Sequence, residues 1–278
     1  MDVIKYYPGS IGEIIQGNVA GKDVLLSCPV NLFTKVRVFE SHNPTSKEKY
    51  PKCKKFMANM MKSWGYGSLC NTFDVEIESE IPIGKGFASS TADIMALYLS
   101  LIELFKKDYN EQEIMKQAIM IEPTDSIIFS EMTLFDYKNG DFKESIGNYM
   151  EFYVFVFEGP RIVDTIEFNQ KIESPLAFID DLLPELRKAV KERNINKLAN
   201  ISYQSIVRNH HRLHYDILSS VEKIIEKTDG LGIIGAHSGD FLGIIYEDEL
   251  SMQAALHYKD SIPLYKGYPL MAINKYDK

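Results

Sequence analysis

Apolar residues recur at helical spacing over 89–107, where Ile94, Met95, Leu97, Tyr98, Leu101, Ile102, Leu104 and Phe105 keep to one period of about 3.6. The stretch predicts a helix, with Ser89, Ser90 or Thr91 as its N-cap. A second helix is predicted over about 110–121, because Asn110 and Glu113 have capping-box spacing and Glu122-Pro123 stops the pattern. Residues 56–64 have helical character, and further helices are expected at about 176–192, 195–209 and 213–227. Strands are predicted at 24–29, 34–40 and 72–79, the last two from apolar and polar alternation. Residues 151–157 (EFYVFVF) form a β-prone, nearly continuous apolar run, as expected of a central strand opening a new sheet. A strand-turn-strand is expected over 231–246.

At 278 residues the chain has room for two closely joined lobes, and the run at 151–157 sets the expected division at 1–148 and 149–278. With 45% hydrophobic and 25% charged residues the composition is globular, without low-complexity tracts. A formal net charge of -8 and the lack of a basic stripe with interleaved aromatics argue against nucleic acid as a partner. The one dense basic run, 47–55 (KEKYPKCKK), contains Glu48 and Pro51 and reads as a solvated loop. Cys28, Cys53 and Cys70 lie far apart without CxxC spacing, so neither a disulfide framework nor a structural zinc site is expected. No segment approaches the ~20 apolar residues of a membrane span, and no leader pattern stands at the start, so a cytoplasmic protein without a membrane partner is expected. His210 and His214 have metal-ligand spacing on a helix. Without an HExxH pattern or a third ligand, a basic helix face beside Arg208 and Arg212 is the better reading.

Residues 83–93 (IGKGFASSTAD) carry what a triphosphate site needs: glycines for close backbone approach, hydroxyls, a cation and the start of a helix. Gly84 and Gly86 suit the turn, Ser89, Ser90 and Thr91 supply hydroxyls, and Lys85 adds positive charge. The run fits neither GxxxxGK[ST] nor GxGxxG, so alone it reads equally as a turn before a serine-capped helix. Two more glycine-containing motifs flank it in sequence, PGSIGEIIQG at 8–17 and GAHSGDFLG at 235–243.

The three motifs in this order resemble those of the kinase superfamily named for galactokinase, homoserine kinase, mevalonate kinase and phosphomevalonate kinase (GHMP), whose middle motif reads approximately PxxxGLGSS[AS]. Here residues 82–92 read PIGKGFASSTA. Within the superfamily the likeness is to the L-threonine kinases of cobalamin synthesis, through PGSIGEIIQG, LLSCPV at 25–30, GKGFASSTAD, EPTDSIIF at 122–129, VDTIEFN at 163–169 and AHSGDFLGIIY at 236–246. His237 and Asp240 stand where broader members are glycine-rich, and the opening motif also departs from the usual form.

The resemblance implies a two-lobed α+β fold, with an N-terminal α/β domain like domain 2 of ribosomal protein S5 and a C-terminal ferredoxin-like α+β domain. It implies ATP and Mg2+ as cofactors and a small-molecule amino acid as partner, and it leaves room for a homodimer. Carried over by motif, Pro82, Gly84, Lys85, Gly86, Ala88, Ser89, Ser90 and Thr91 bind the nucleotide, Ser90 and Glu122 hold the metal, and Asp125 is the base or orients the acceptor hydroxyl. Glu13 and Gln16 are candidates for the acceptor's amino group, Glu13 reading equally as a turn or solvent-facing residue. Ser238 and Gly239 form the turn of the third motif, beside His237, which binds substrate or is structural.

Overall fold

The computed structural model describes residues 2–163, 174–213, 215–236 and 238–274. Its frame is one long antiparallel hairpin of β1 (Asp2–Val19) and β2 (Lys22–Glu40), closed at Ala20 and Gly21. Both turn residues have positive φ (49° and 83°), which matches the right-handed twist of a two-residue hairpin. The pairing shifts register between Pro8 and Ile15, where the opening motif lies. Such bulges bend a strand and free its edge for other partners. At that bend Glu13 pairs with Gly235, and on the other strand Val30 pairs with Ala272.

Those two pairings insert the later strands. β3 (Phe73–Ser79) runs along the distal half of β2, and β4 (Met132–Asp136) pairs with Val24 and Leu25 and with β5 (Lys143–Gly147). β6 (Phe152–Glu158) lies between β8 (Phe241–Tyr246) and β9 (Lys266–Ala272), with β7 (Gly232–Gly235) beside β8. In chain order the four C-terminal strands therefore stand 4-1-3-2, all antiparallel. A single nine-stranded sheet runs through both expected segments, β1-β7-β8-β6-β9-β2-β4-β5 with β3 on β2.

Among the described residues the helices are α1 (Ser46–Lys49), α2 (Pro51–Ser63), α3 (Ser89–Leu104), α4 (Glu111–Ile119), α5 (Leu183–Lys191), α6 (Ile195–Leu213), α7 (Leu218–Thr228) and α8 (Glu249–Gln253). α3 is apolar nearly all round, with Ile94, Met95, Leu97, Tyr98 and Leu101 buried, and such a helix has to lie inside. It packs on β1 and β2, while α2 and α4 cover its outer side. A second cluster, including Phe155, Ile206, Val221, Ile224 and Ile244, joins α6 and α7 to the C-terminal strands.

Four expectations are corrected. The run at 151–157 opens no new sheet; as β6 it joins the single nine-stranded sheet. The strands expected at 24–29 and 34–40 are one strand, because the hairpin continues through Pro29. The run at 47–55 is helical, since Pro51 occupies the first turn of α2, where its missing N–H costs nothing. The helix expected over 176–192 is a 3-10 turn, Asp180–Leu182, followed by the shorter α5.

Candidate active site

The segment after β3 turns through Gly84 (φ 68°) and Gly86 (φ 96°) and enters α3 at Ala88, itself left-handed at φ 54°. Ala88 is the N-cap and offers no side-chain acceptor, so the serine cap expected from sequence does not form. The amides of the first turn instead sit uncapped by any side chain at the positive end of the helix dipole, an arrangement suited to an anion. Ser89, Ser90 and Thr91 lie inside that turn and line a cleft of about 270 Å³, together with Gly84, Gly86 and Ala88.

The two hydroxyls beyond Ser89 reach the segment after α4. Ser90 Oγ donates to Glu122 Oε1. Thr91 Oγ1 accepts from the amide of Asp125 at 3.3 Å. The other oxygen of Glu122 meets Lys52 Nζ of α2 at 2.6 Å, and the Glu122 side chain is 3% exposed. Asp93, one turn further along α3, accepts from Thr34 Oγ1 at 2.6 Å; burial, opposed by that bond and reinforced by the Glu122 charge, lifts its carboxyl to about 6.

Asp125 both caps and lines the cleft. Its Oδ1 accepts from the Ile127 amide at 3.1 Å, capping the 3-10 turn Ser126–Ile128. Burial, and next the negative charge of Glu13, push its carboxyl up to about 7. Glu13 comes from the bend in β1 and is 6% exposed, and Gln16, at 5%, follows three residues later on the same strand. Tyr137, Leu25, Arg212, Ile83, Ile162, Val163 and Ser238 also line the cleft.

The three sequence motifs are in direct contact. The Ser10 amide donates to Phe87 O at 2.8 Å, and Phe87 stacks on Phe241 with ring centroids 4.3 Å apart. A Cβ on Gly86 would stand 2.1 Å from Ala236 Cβ, and one on Gly239 would stand 2.1 Å from Lys85 O. Lys85 itself departs from its expected role. Its ammonium is buried and donates to the carbonyls of Gly159 and Arg161, both at 2.7 Å, so it anchors the loop to the strand end rather than facing the cleft. Pro82 and Gly239 also lie outside the cleft lining, and His237 lies outside the described residues. Asp240 is likewise occupied, bound by the Arg161 guanidinium at 2.8 Å and the Tyr265 hydroxyl at 3.1 Å.

Lys52 and Arg212 are cleft residues that the sequence did not single out as such. Lys52 carries a usable signal, a lysine just inside a proline-initiated helix, but its meeting with Glu122 depends on α2 packing beside α4. Arg212 stands in a basic helix end that reads equally as a solvated face.

A metal ion is implied by the resemblance, and the donor set suits one. Glu122 and Ser90 offer touching hard oxygen donors beside the helix start, and Mg2+ commonly takes only one or two protein oxygens, with phosphate and water completing its shell. Among the described residues no group of three or more His, Cys, Asp or Glu side chains gathers as a metal site, so the fit rests on this Ser–Glu pair.

Residues 51–130, from α2 to the Asp125 segment, match the GHMP kinases N terminal domain. The chain is 27% identical to an L-threonine kinase of Citrobacter freundii over 246 residues, covering 86% of this chain and 85% of that protein. A similar relation, also 27% identical, holds to an L-threonine kinase of Salmonella typhimurium, covering 86% of this chain and 81% of the relative. The mevalonate kinase of Methanococcus jannaschii superposes with a TM-score of 0.67 over 99% of both chains at 16% identity, which shows a shared fold. No helix among the described residues is long and apolar enough to cross a membrane.

Proposed function

From the premise that the chain carries a GHMP kinase N-terminal domain, we propose that it is an ATP-dependent small-molecule kinase whose acceptor is the hydroxyl of free L-threonine. The product is O-phospho-L-threonine, a precursor of the aminopropanol linker of cobalamin. The observation that carries the reading is the convergence, in one cleft, of an uncapped helix start, the Ser90–Glu122 pair and the raised carboxyl of Asp125. The L-threonine kinases to which the chain is similar over most of its length support the acceptor. Segments 1–148 and 149–278 are read as its N- and C-terminal domains.

In this reading the triphosphate lies against Gly84, Gly86 and the first turn of α3, where backbone amides and the hydroxyls of Ser89, Ser90 and Thr91 meet the phosphate oxygens. Ser90 and Glu122 would hold Mg2+, which would supply neutralisation of phosphate charge. Lys52 adds a cation at the same place. Asp125, at about 7, is poised near neutrality to accept the proton of the threonine hydroxyl. The hydroxyl oxygen forms its bond to the γ-phosphorus as the bond to the ADP oxygen breaks, in one in-line step without a phosphoenzyme.

A panel of L-threonine, L-serine, L-homoserine and mevalonate, followed by ADP release with Mg-ATP, tests the assignment. L-threonine is expected to give the highest kcat/KM. One methyl separates it from serine, a difference of about 1–3 kcal/mol in an apolar pocket, or roughly 10- to 200-fold. A better acceptor than threonine in that panel would remove threonine as the substrate.

A further inference from the structure

Buried polar groups without partners destabilise a fold, so a cluster of them beside a cleft points to a ligand that completes them. Among the described residues six buried side-chain polar atoms lack a partner. Three of the six, Gln16 Oε1, Tyr137 OH and Arg212 Nε, belong to residues lining the active-site cleft. They come from three different elements, β1, the segment after β4, and the C-terminal turn of α6.

The end of α6 is fixed against β1 by polar contacts. Buried Asn209 donates from Nδ2 to Gln16 O at 2.9 Å and accepts the Ala177 amide at 3.0 Å, while Ser205 Oγ accepts the Gln16 amide at 3.0 Å. Arg212 follows Asn209 by three residues, less than one turn, so its place at the cleft is set by this docking. One arm of its guanidinium, Nη1, donates to Ser174 O at 3.2 Å. Asp23, which feels its charge, already has the Lys138 ammonium at 2.7 Å and the Asn18 amide at 3.1 Å.

Charge separates the cleft into two ends. Lys52, Glu122, Asp93 and Ser90 act on one another beside the helix start. Arg212 acts instead on Tyr137 and Asp23, and Tyr137 also feels Glu13. Asp125 stands between, linked to Thr91 on one side and influenced by Glu13 on the other. A buried carboxylate and a guanidinium flanking one tyrosine are the complement of a zwitterion.

Resting on the kinase reading above, we propose that Arg212, with Tyr137, binds the α-carboxylate of the acceptor, so that the site selects free α-amino acids over neutral hydroxyl compounds. Glu13 and the acceptor oxygen Gln16 Oε1 then face the α-ammonium, and the side-chain hydroxyl is left directed to Asp125. Arginine suits this role because its planar fork matches a carboxylate and stays charged at any working pH.

The experiment compares L-threonine with L-threoninamide, which keeps the ammonium and hydroxyl but lacks the carboxylate, as substrates and, by calorimetry, as ligands. The native chain is expected to prefer threonine by about 10- to 100-fold, the range for a charge-assisted pair. Arg212→Gln should lose most of that preference through a raised KM for threonine, with the KM for ATP and the melting temperature unchanged, and Arg212→Lys should recover part of it. Tyr137→Phe, which removes one hydroxyl, should lower the preference about 2- to 10-fold. Equal use or equal binding of the two compounds by the native chain overturns the proposal while leaving the kinase reading intact. So does an Arg212→Gln variant that slows both by one factor. Turnover of a neutral alcohol with no amino acid accepted defeats both.

Discussion

Asp125 and Glu13 are two carboxylates close enough for one to disfavour ionisation of the other, and that coupling is open to a kinetic test. A base acts only when ionised. With Asp125 at about 7, kcat/KM for the acceptor should rise with pH through about 7 and level off above it. Removing the like charge in Glu13→Gln lowers the cost of ionising Asp125, so the acid limb should move to lower pH. A limb that stays in place in that variant would show that Glu13 does not govern it. At this scale Ser90, Glu122 and Asp125 were singled out through the resemblance of their motifs to those of the kinase superfamily, and all three line the cleft. Lys52 and Arg212 were not, since each becomes a cleft residue only through the approach of its helix to a distant strand or turn. Lys85 was misplaced by the same logic: its neighbours in sequence suggest phosphate, while its neighbours in space are the carbonyls of Gly159 and Arg161.

The turn from Gly84 into α3 depends on close packing against the third motif. The Asp240 amide donates to Lys85 O at 3.1 Å, and the Val163 amide to Gly84 O at 2.8 Å, so the loop is held by backbone on both sides. Gly239→Ala would place a Cβ 2.1 Å from Lys85 O and 2.6 Å from the Gly86 nitrogen, against backbone that cannot swing aside. Overpacking of this kind costs about 1–3 kcal/mol, and here it pushes directly on the loop. Denaturant unfolding should show a loss of that size and steady-state kinetics a raised KM for ATP. An unchanged KM for ATP would separate the loop from the nucleotide. Helix α3 was readable from periodicity and α4 from Asn110, whose Oδ1 accepts the Glu113 amide at 3.1 Å as the capping-box spacing required. The opening motif did not read as part of an 18-residue strand, because β1 is buried on both faces at its bend and interrupted by Pro8, Gly9 and Gly12. β4, β5 and β9 are short or carry proline and glycine, and they gain strand form from pairing rather than from pattern.

Over the whole molecule a net charge of -8 would repel a nucleotide triphosphate, so attraction has to be local. On the proposed kinase reading, Lys52 and the dipole of α3 supply it, with Arg212 a further cation in the cleft lining. The hairpin of β1 and β2 makes the arrangement possible, since its bend pairs with β7 on one strand and β9 on the other and brings all three motifs to one place. That closure is a long-range consequence of the register shift near Ser10, whereas the order of the motifs was visible in the chain itself. The most direct test of the central claim is phosphorus NMR of the purified protein with Mg-ATP and L-threonine. The account predicts a phosphomonoester resonance of O-phospho-L-threonine growing in step with ADP, and lost with Asp125→Ala. ADP formed at the same rate without threonine, with no phosphothreonine resonance, would contradict it.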